Sequence, residues 1–127
     1  MESFREFEQQ NRNVGSDDLP DHLLGSTANM HFTLDDSGQW EKTKSYTTVG
    51  SKVKVYGTID YPEGPTWTVI VKSTANSWKK EKNGVETGDT LSFSVPTNLG
   101  STKFTIKVRS ERGEQDAGVQ GKIVVEV

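Results

Sequence analysis

The chain has 127 residues, no cysteine and a formal net charge of −3 at pH 7. This length fits one domain that buries a core without disulfides or metal, and the lack of cysteine excludes a disulfide framework and thiolate metal sites. Only 31% of the residues are hydrophobic and the mean hydropathy is −0.69. So lean a composition suits an all-β domain, whose sheets can leave one face in water.

The composition also bounds location and partners. No apolar run approaches the roughly 18 residues of a membrane span, and the N-terminus MESFREFEQQ lacks the pattern of a signal peptide. A chain without cysteine fits a bacterial protein, which we expect to be cytoplasmic if Met1 is native and secreted or surface-bound if Met1 is a cloning start. The sequence pI near 5.4 argues against nucleic acid as a partner.

Residues 1–29 contain few strand-forming residues and are acidic. A short helix is predicted over Ser3–Gln10, followed by a linker over Asn13–Pro20 that contains Gly, Ser and Asp. We expect a flexible, mostly disordered arm that contacts the body through Leu19, Leu23 and Leu24. Residues 1–36 carry a net charge of −6, whereas residues 37–127 carry +3, so the arm and the body have opposite charge.

From Met30 onward, hydrophobic and polar residues alternate with the period of two that is typical of half-buried β-strands. The alternation is predicted for Met30–Leu34, for Gln39–Val49 with Trp40 and Tyr46 on one face, and for a central pair of strands within Ser51–Ser73. The inward positions of that central pair are Val53, Val55, Gly57, Ile59, Trp67, Val69 and Val71.

The C-terminal half continues this pattern. Inward residues are predicted in three further strands: Leu91, Phe93 and Val95; Phe104, Ile106 and Val108; and Val119, Ile123, Val125 and Val127. Asn83 followed by Gly84 is the strongest short hairpin signal in the chain. Seven or eight short strands separated by turn residues predict an antiparallel sandwich or barrel over residues 30–127.

Three segments carry a resemblance to a known architecture: the Trp67 strand, GDTLSFSVP at 88–96, and the pair TKFTIKV and GKIVVEV that ends the chain. With them, the chain resembles bacterial immunoglobulin-like and fibronectin-III-like β-sandwich domains, although the cysteine pair of antibody domains is absent. This resemblance implies an Ig-like sandwich of seven or eight strands and a non-enzymatic module for protein interaction or a surface or structural role.

Catalytic and metal-binding patterns find little support. The two histidines, His22 and His31, lie in or beside the acidic arm, and no GxSxG, HExxH or phosphate-binding glycine loop is present. The acidic pairs at 17–18 and 35–36 lack the spacing of a calcium loop and suit a linker and a turn. We expect no enzyme activity, no metal and no cofactor, and keep a hydrolase or lyase with an unrecognised site as the third hypothesis.

Aromatic residues in polar surroundings are the first candidates for binding. Trp78 lies in the segment SWKKEK beside Lys79 and Lys80, Trp40 begins a strand without apolar neighbours, and Tyr61 lies in a predicted turn. Exposed Trp and Tyr rings stack on sugars or fill a partner's pocket. The alternative for Trp40 and Trp78 is that both fold over the edge of the sandwich as part of its core.

Basic residues form the second candidate. Lys72, Lys103, Lys107, Arg109 and Lys122 would share one sheet face if the Trp67, Phe104 and Ile123 strands were neighbours. Such a face suits an anionic polymer or the acidic arm, although lysines commonly just solvate a sheet and protect its edges. The sequence thus predicts a protein partner first and a polysaccharide second, and it contains no pattern that fixes the oligomeric state.

Overall fold

The computed structural model describes Leu19, residues 26–113 and residues 118–126. Within these ranges the chain forms eight β-strands, one 3₁₀ turn at Ala75–Ser77 and no α-helix. The strands are β1 (Ser26–Thr33), β2 (Gln39–Val49), β3 (Lys52–Tyr61), β4 (Thr66–Ser73), β5 (Trp78–Glu86), β6 (Thr90–Pro96), β7 (Leu99–Ser110) and β8 (Gly118–Glu126). The predicted bounds of β2 are confirmed at both ends.

The strands form two four-stranded sheets in which every neighbouring pair is antiparallel. The first sheet has the order β1-β8-β3-β6, and the second sheet has the order β2-β7-β4-β5. The two inner faces pack on each other around a shared core. The predicted all-β antiparallel sandwich of seven or eight strands is therefore confirmed.

The strand order is that of a jelly roll. Each sequential pair from β1–β2 to β3–β4 crosses from one sheet to the other, as do β5–β6, β6–β7 and β7–β8. Two Greek keys of this kind define an eight-stranded jelly roll, whereas immunoglobulin domains place strands A and B in the same sheet. The resemblance seen in the sequence thus holds for the sandwich architecture, and the connectivity differs.

Period-two patterning positions the core as predicted. Side chains of alternate residues on a strand point to opposite faces, and the inward residues named above that the structure describes are buried, apart from Gly57 and the half-buried Leu91. Trp67 is completely buried near the start of the inner strand β4, opposite Ser110, and Phe104 on β7 is buried opposite Ser73 at the other end of β4. Phe104 packs against Tyr46 with ring centroids 5.3 Å apart.

One prediction about the connections is wrong. Asn83 and Gly84 do not form a hairpin turn but lie inside β5, where the register with β4 shifts between Trp67 and Val69. Gly84 has a φ of 66° there, a conformation that glycine adopts without steric cost, and the pair forms a β-bulge. The β4–β5 connection instead runs through the 3₁₀ turn at Ala75–Ser77.

The boundary of the predicted arm also shifts. β1 begins at Ser26, and residues 26–29 pair with β8, so these four residues belong to the sandwich and not to the arm of residues 1–29. Leu19 is buried with the core residues, and its carbonyl oxygen accepts a hydrogen bond from Lys44 Nζ at 3.4 Å. The predicted helix at Ser3–Gln10, Leu23 and Leu24 lie outside the described residues.

The two ends of the sandwich carry different loops. At one end, here called the Trp78 end, lie the β2–β3, β4–β5 and β6–β7 connections. At the opposite end, here called the Glu111 end, lie the β1–β2, β3–β4 and β5–β6 connections and the start of the β7–β8 connection. These two ends give the positions of the side chains described below.

Candidate functional site

The outer face of the second sheet collects basic residues from three adjacent strands. Residues opposite each other in an antiparallel pair point to the same face, and the register places Lys72 beside Lys79 on β5 and Thr105 on β7. Lys103, Lys107 and Arg109 alternate with buried residues on β7 and share this outer face. Four of the five predicted basic residues are thereby brought together, and Lys79 joins them.

Lys122 does not belong to this group. It lies on β8, which is in the first sheet, whereas the other four residues lie on β4 and β7 of the second sheet. The prediction that the Ile123 strand neighbours the Trp67 and Phe104 strands is therefore wrong. The cause is the jelly-roll connectivity, in which β7 and β8 cross from one sheet to the other instead of pairing.

The half of this face near the Trp78 end is the more cationic. Lys72 and Lys79 lie directly opposite each other, and the same row continues across Thr105 to Thr43, whose hydroxyls are 2.8 Å apart. Lys103 lies in the next row, opposite Ser45. These two rows contain lysines and hydroxyls and no carboxylate, and Lys72, Lys79 and Lys103 are called the cationic half below.

The half near the Glu111 end is balanced in charge. Lys107 lies between Glu41 on β2 and Ile70 on β4, and Ile70 in turn lies opposite Glu81. Arg109 lies opposite Thr68, and its charge contributes to the lowered pKa of Glu111. Lys107 and Arg109 therefore face carboxylates of their own sheet, whereas the cationic half has none in its rows.

The centre of this face is less exposed than the pattern of β4 predicts. Thr68 and Ile70 point outward between the buried residues Trp67, Val69 and Val71, yet both are buried. Because β4 is an inner strand, long side chains on β5 and β7 flank these two positions and can shield them with their alkyl stems. The outward side chains at the middle of β4 are thus covered, and the exposed residues of this face lie mainly on β5, β7 and β2.

Glu111 accepts three hydrogen bonds from β4 and β5 at the Glu111 end of this face. One carboxylate oxygen accepts from the Thr66 hydroxyl at 2.7 Å, and the other accepts from the Gly84 backbone N–H and the Thr68 hydroxyl, both at 2.8 Å. The Gly84 N–H, followed by the Thr66 and Thr68 hydroxyls, holds the pKa of Glu111 below its usual value because these donors favour the charged form. Glu111 thus ties the start of the β7–β8 loop to the β5 bulge.

Sequence reasoning missed this cluster. The sequence around Glu111 contains no pattern that singles it out, and its partners lie between 27 and 45 residues earlier in the chain. The Asn83 and Gly84 pair was a signal for unusual backbone at this point, but it pointed to a hairpin. Only the register between β4 and β5 shows that the bulge directs the Gly84 N–H toward a carboxylate.

The aromatic candidates do not form one surface. Trp40 is buried and stacks on Phe32 with ring centroids 4.2 Å apart, so it belongs to the core and is excluded as an exposed stacking platform. Trp78 is half-buried at the start of β5 and packs against the core. Tyr61 is 54% exposed, but it lies on β3 of the first sheet at the Glu111 end, away from Trp78.

The two candidate lysines next to Trp78 point in opposite directions. Lys79 lies opposite Lys72 on the outer face, whereas Lys80 lies opposite the buried Val71 and is on the inner side of β5. Lys82 is also on the inner side, opposite Val69, and donates a hydrogen bond to the Ser92 carbonyl at 3.1 Å. The Lys82 ammonium lies 4.8 Å from the centre of the Phe93 ring, a cation–π distance.

The acidic pairs and the histidines were the remaining candidates. Asp35 caps the β1–β2 turn, since one of its carboxylate oxygens accepts from the N–H groups of Ser37 and Gln39. Asp17, Asp18, His22 and the side chain of His31 lie outside the described residues. In the described part of the chain no cluster of three or more metal-ligating side chains occurs. No helix of that part is long and apolar enough to cross a bilayer.

Comparison with known proteins identifies the fold. No protein-family model and no curated protein sequence matches the chain. Among solved structures, the chain is similar to the Yersinia pseudotuberculosis-derived mitogen, with a TM-score of 0.56 and 13% identity over 81% of this chain and 88% of that one. The likeness establishes a shared fold.

Two further structures are similar at lower scores. One is the carbohydrate-binding module TmCBM61 in complex with β-1,4-galactotriose, with a TM-score of 0.49, 16% identity and coverage of 78% of this chain and 66% of that one. The other is the pre-peptidase C-terminal domain of a Bacillus anthracis collagenase, with a TM-score of 0.45, 13% identity and coverage of 80% and 88%. All three similar structures share less than a fifth of their residues with this chain.

Proposed function

We propose that the chain is a non-enzymatic binding module that holds an acidic polysaccharide on the outer face of the second sheet. The cationic half supplies the charge: Lys72, Lys79 and Lys103 bind carboxylate or sulfate groups of the polymer. Hydroxyls of Thr43, Thr105 and other residues of the same rows are available for hydrogen bonds to its sugar hydroxyls. This proposal keeps the polysaccharide partner of the second hypothesis from the sequence, moves the site from the aromatic residues to the basic face, and is preferred to the generic protein-interaction module.

The observation that carries the proposal is the direct opposition of Lys72 and Lys79. Like charges opposite each other on neighbouring strands destabilise a sheet, and their rows contain no carboxylate that would compensate. An anionic ligand that bridges the two ammonium groups removes this repulsion. The sheet is therefore better suited to its ligand-bound state than to its free state at this point.

The chemistry of the surrounding surface favours a polysaccharide over a protein. Protein interfaces depend on a few aromatic or aliphatic anchors that fill pockets, and the rows that contain Lys72 and Lys103 present only lysine and hydroxyl side chains outward. A polymer rich in hydroxyl and acidic groups matches such a surface. Stacking of a neutral sugar is less well supported, because Trp40 is buried and Trp78 and Tyr61 are far apart in the fold.

Affinity electrophoresis through polygalacturonate, dextran sulfate and neutral dextran tests this function. We expect the protein to be retarded by the two acidic polymers and not by neutral dextran. The retardation should weaken as salt rises, because ions screen exposed charges beyond about 10 Å at 0.1 M. Lys72→Gln/Lys79→Gln should remove most of it.

The matched control is Lys52→Gln/Lys54→Gln, which removes the same charge from the outer face of the first sheet. We expect this variant to be retarded like the wild type. Equal loss in both double variants would show a non-specific charge effect and contradict the proposal. Equal retardation by duplex DNA would also contradict it, since the site would then respond to any polyanion.

One observation favours a protein partner as the second function. Val49 and Leu99 lie opposite each other at the Trp78 end of the same face and are 75% and 84% exposed. Exposed aliphatic pairs of this kind contribute to interfaces between proteins. If a second copy of the chain is the partner, light scattering should give more than one chain for the wild type and one chain for Val49→Ser/Leu99→Ser.

A further inference from the structure

A cavity of about 70 Å³ lies between the two sheets. Its walls are apolar side chains from both inner faces, among them Val55, Ile123, Val69, Val71, Leu91 and Phe93. Protein interiors contain few voids larger than a water molecule, and an apolar cavity remains dry. The apolar walls of this space offer favourable contacts to a small apolar group and few hydrogen bonds to water.

Two glycines account for the space. Gly57 on β3 and Gly121 on β8 occupy inward positions of adjacent strands and line the cavity. A Cβ at Gly57 would overlap the Lys122 carbonyl oxygen, and a Cβ at Gly121 would overlap the Thr58 carbonyl oxygen. The close approach of β3 and β8 thus excludes a side chain at both positions and leaves the core unfilled above them.

The cavity is partly open to solvent, and β5 is the strand that contributes no residue to its lining. The inward positions on β5 are Trp78 and Val85 near its ends and Lys80 and Lys82 between them. Lys80 lies opposite Val71 and Lys82 opposite Val69, and both of these valines line the cavity. Lys80 and Lys82 therefore occupy inward positions of β5 that correspond to apolar residues on the other strands.

The Lys82 ammonium lies beside a side chain of the cavity wall. Lys82 Nζ is 4.8 Å from the Phe93 ring and 3.1 Å from the Ser92 carbonyl oxygen, and Phe93 lines the cavity. Lys80 makes no hydrogen bond or ion pair with the described residues. Leu91, which pairs with Gly57, is half-buried and also lines the cavity.

We propose that this cavity binds a short aliphatic carboxylate, with the alkyl group between the sheets and the carboxylate on Lys80 and Lys82. The volume sets the size of the alkyl group. The cavity has about half the volume of the engineered ~150 Å³ cavity that holds benzene, so it accepts a branched chain of a few carbons and no aromatic ring. The two lysines select an acid over a neutral molecule of the same shape.

This site is separate from the polysaccharide surface. The polysaccharide proposal uses Lys79, which points outward, and the cavity proposal uses Lys80 and Lys82, which point inward on the same strand. The failure of one proposal is therefore distinguishable from the failure of the other. A polysaccharide is too large to enter the cavity, and a small carboxylate has no apolar contact on the outer face.

Titration of the full chain with isobutyrate, followed through methyl NMR signals, tests the proposal. We expect saturable shifts of Val69, Val71 and Leu91 methyl signals, and binding about tenfold weaker for isobutyramide, which has the same shape without charge. The double substitution Lys80→Gln/Lys82→Gln should weaken the binding of isobutyrate by a similar factor. Lys80→Gln alone, which leaves the Lys82 hydrogen bond intact, should give an intermediate loss.

Two further variants complete the experiment. Lys79→Gln removes a charge from the opposite face of the same strand and should bind isobutyrate like the wild type. Val71→Ile adds one methylene to the cavity wall and should abolish the titration while the protein remains folded, as shown by its thermal transition. Absence of saturable methyl shifts, equal affinity for isobutyramide, or equal weakening by Lys79→Gln would each overturn the proposal.

Discussion

Replacing Trp67 by alanine tests whether the second sheet is organised around this side chain. Trp67 is completely buried on the inner strand β4, and its indole N–H donates to the Thr87 hydroxyl at 3.4 Å. Truncation of a buried Trp to Ala costs about 3–5 kcal/mol, because it removes apolar contacts and leaves a cavity. At about 3–5 °C per kcal/mol for a chain of this length, the midpoint of thermal unfolding should fall by about 10–20 °C.

Urea denaturation followed by circular dichroism measures this loss for the wild type and for two variants. Trp67→Phe keeps most of the apolar contact and should lose only about 1–2 kcal/mol, so it provides a value even if Trp67→Ala does not fold. Trp78→Ala, a truncation of the same size at a half-buried site, should cost clearly less than Trp67→Ala. A loss below about 1 kcal/mol for Trp67→Ala, or an equal loss at both positions, would refute this account of the core.

Three further predictions concern the backbone, the carboxylate cluster and the opposed lysines. Gly57→Ala should cost about 2–3 kcal/mol in urea denaturation, because its Cβ would overlap the Lys122 carbonyl; an unchanged midpoint would show that the strands separate freely. The lowered pKa of Glu111 means that its contribution to stability is present above the pKa of the unfolded chain and is lost as pH falls through the folded pKa. Glu111→Gln should therefore lower the urea midpoint at pH 7 and reduce its fall between pH 5 and 3, and a parallel pH profile would contradict this. Lys79→Glu should stabilise the free protein by about 0.2–1 kcal/mol by replacing repulsion with attraction to Lys72, while it weakens retardation by acidic polymers.

The sequence contained enough information for the sandwich because period-two patterning is a local property. Phe93, Val95, Phe104 and Ile106 alternate with polar residues, and this alternation alone assigns them to the core. The order of the strands depends instead on long-range pairing, which alternation does not encode. Lys122 was therefore placed on the right kind of strand but on the wrong sheet.

Prediction of the candidate site from the sequence also depended on knowing which strands are neighbours. Lys72, Lys103, Lys107 and Arg109 were predicted correctly as one face, because β4 and β7 are neighbours in both the immunoglobulin-like and the observed arrangement. Trp40 illustrates the opposite case, since the polar residues around it concealed a partner, Phe32, that is contributed by another strand. Stacking on Phe32 buries the ring, and only the packing of β1 over β2 shows this.

The lysines of β5 connect both proposals to one feature of the fold. β5 is an edge strand of the second sheet, and charged residues on edge strands, including inward-pointing ones, discourage pairing with other chains. Alternation divides these lysines, with Lys79 on the outer face and Lys80 and Lys82 beside the cavity. If edge protection were their only role, substitution at any of the three would affect aggregation alike and ligand binding not at all. If the strand instead carries a binding site on each face, substitution of Lys79 should reduce only polysaccharide binding. Substitution of Lys80 and Lys82 should reduce only isobutyrate binding.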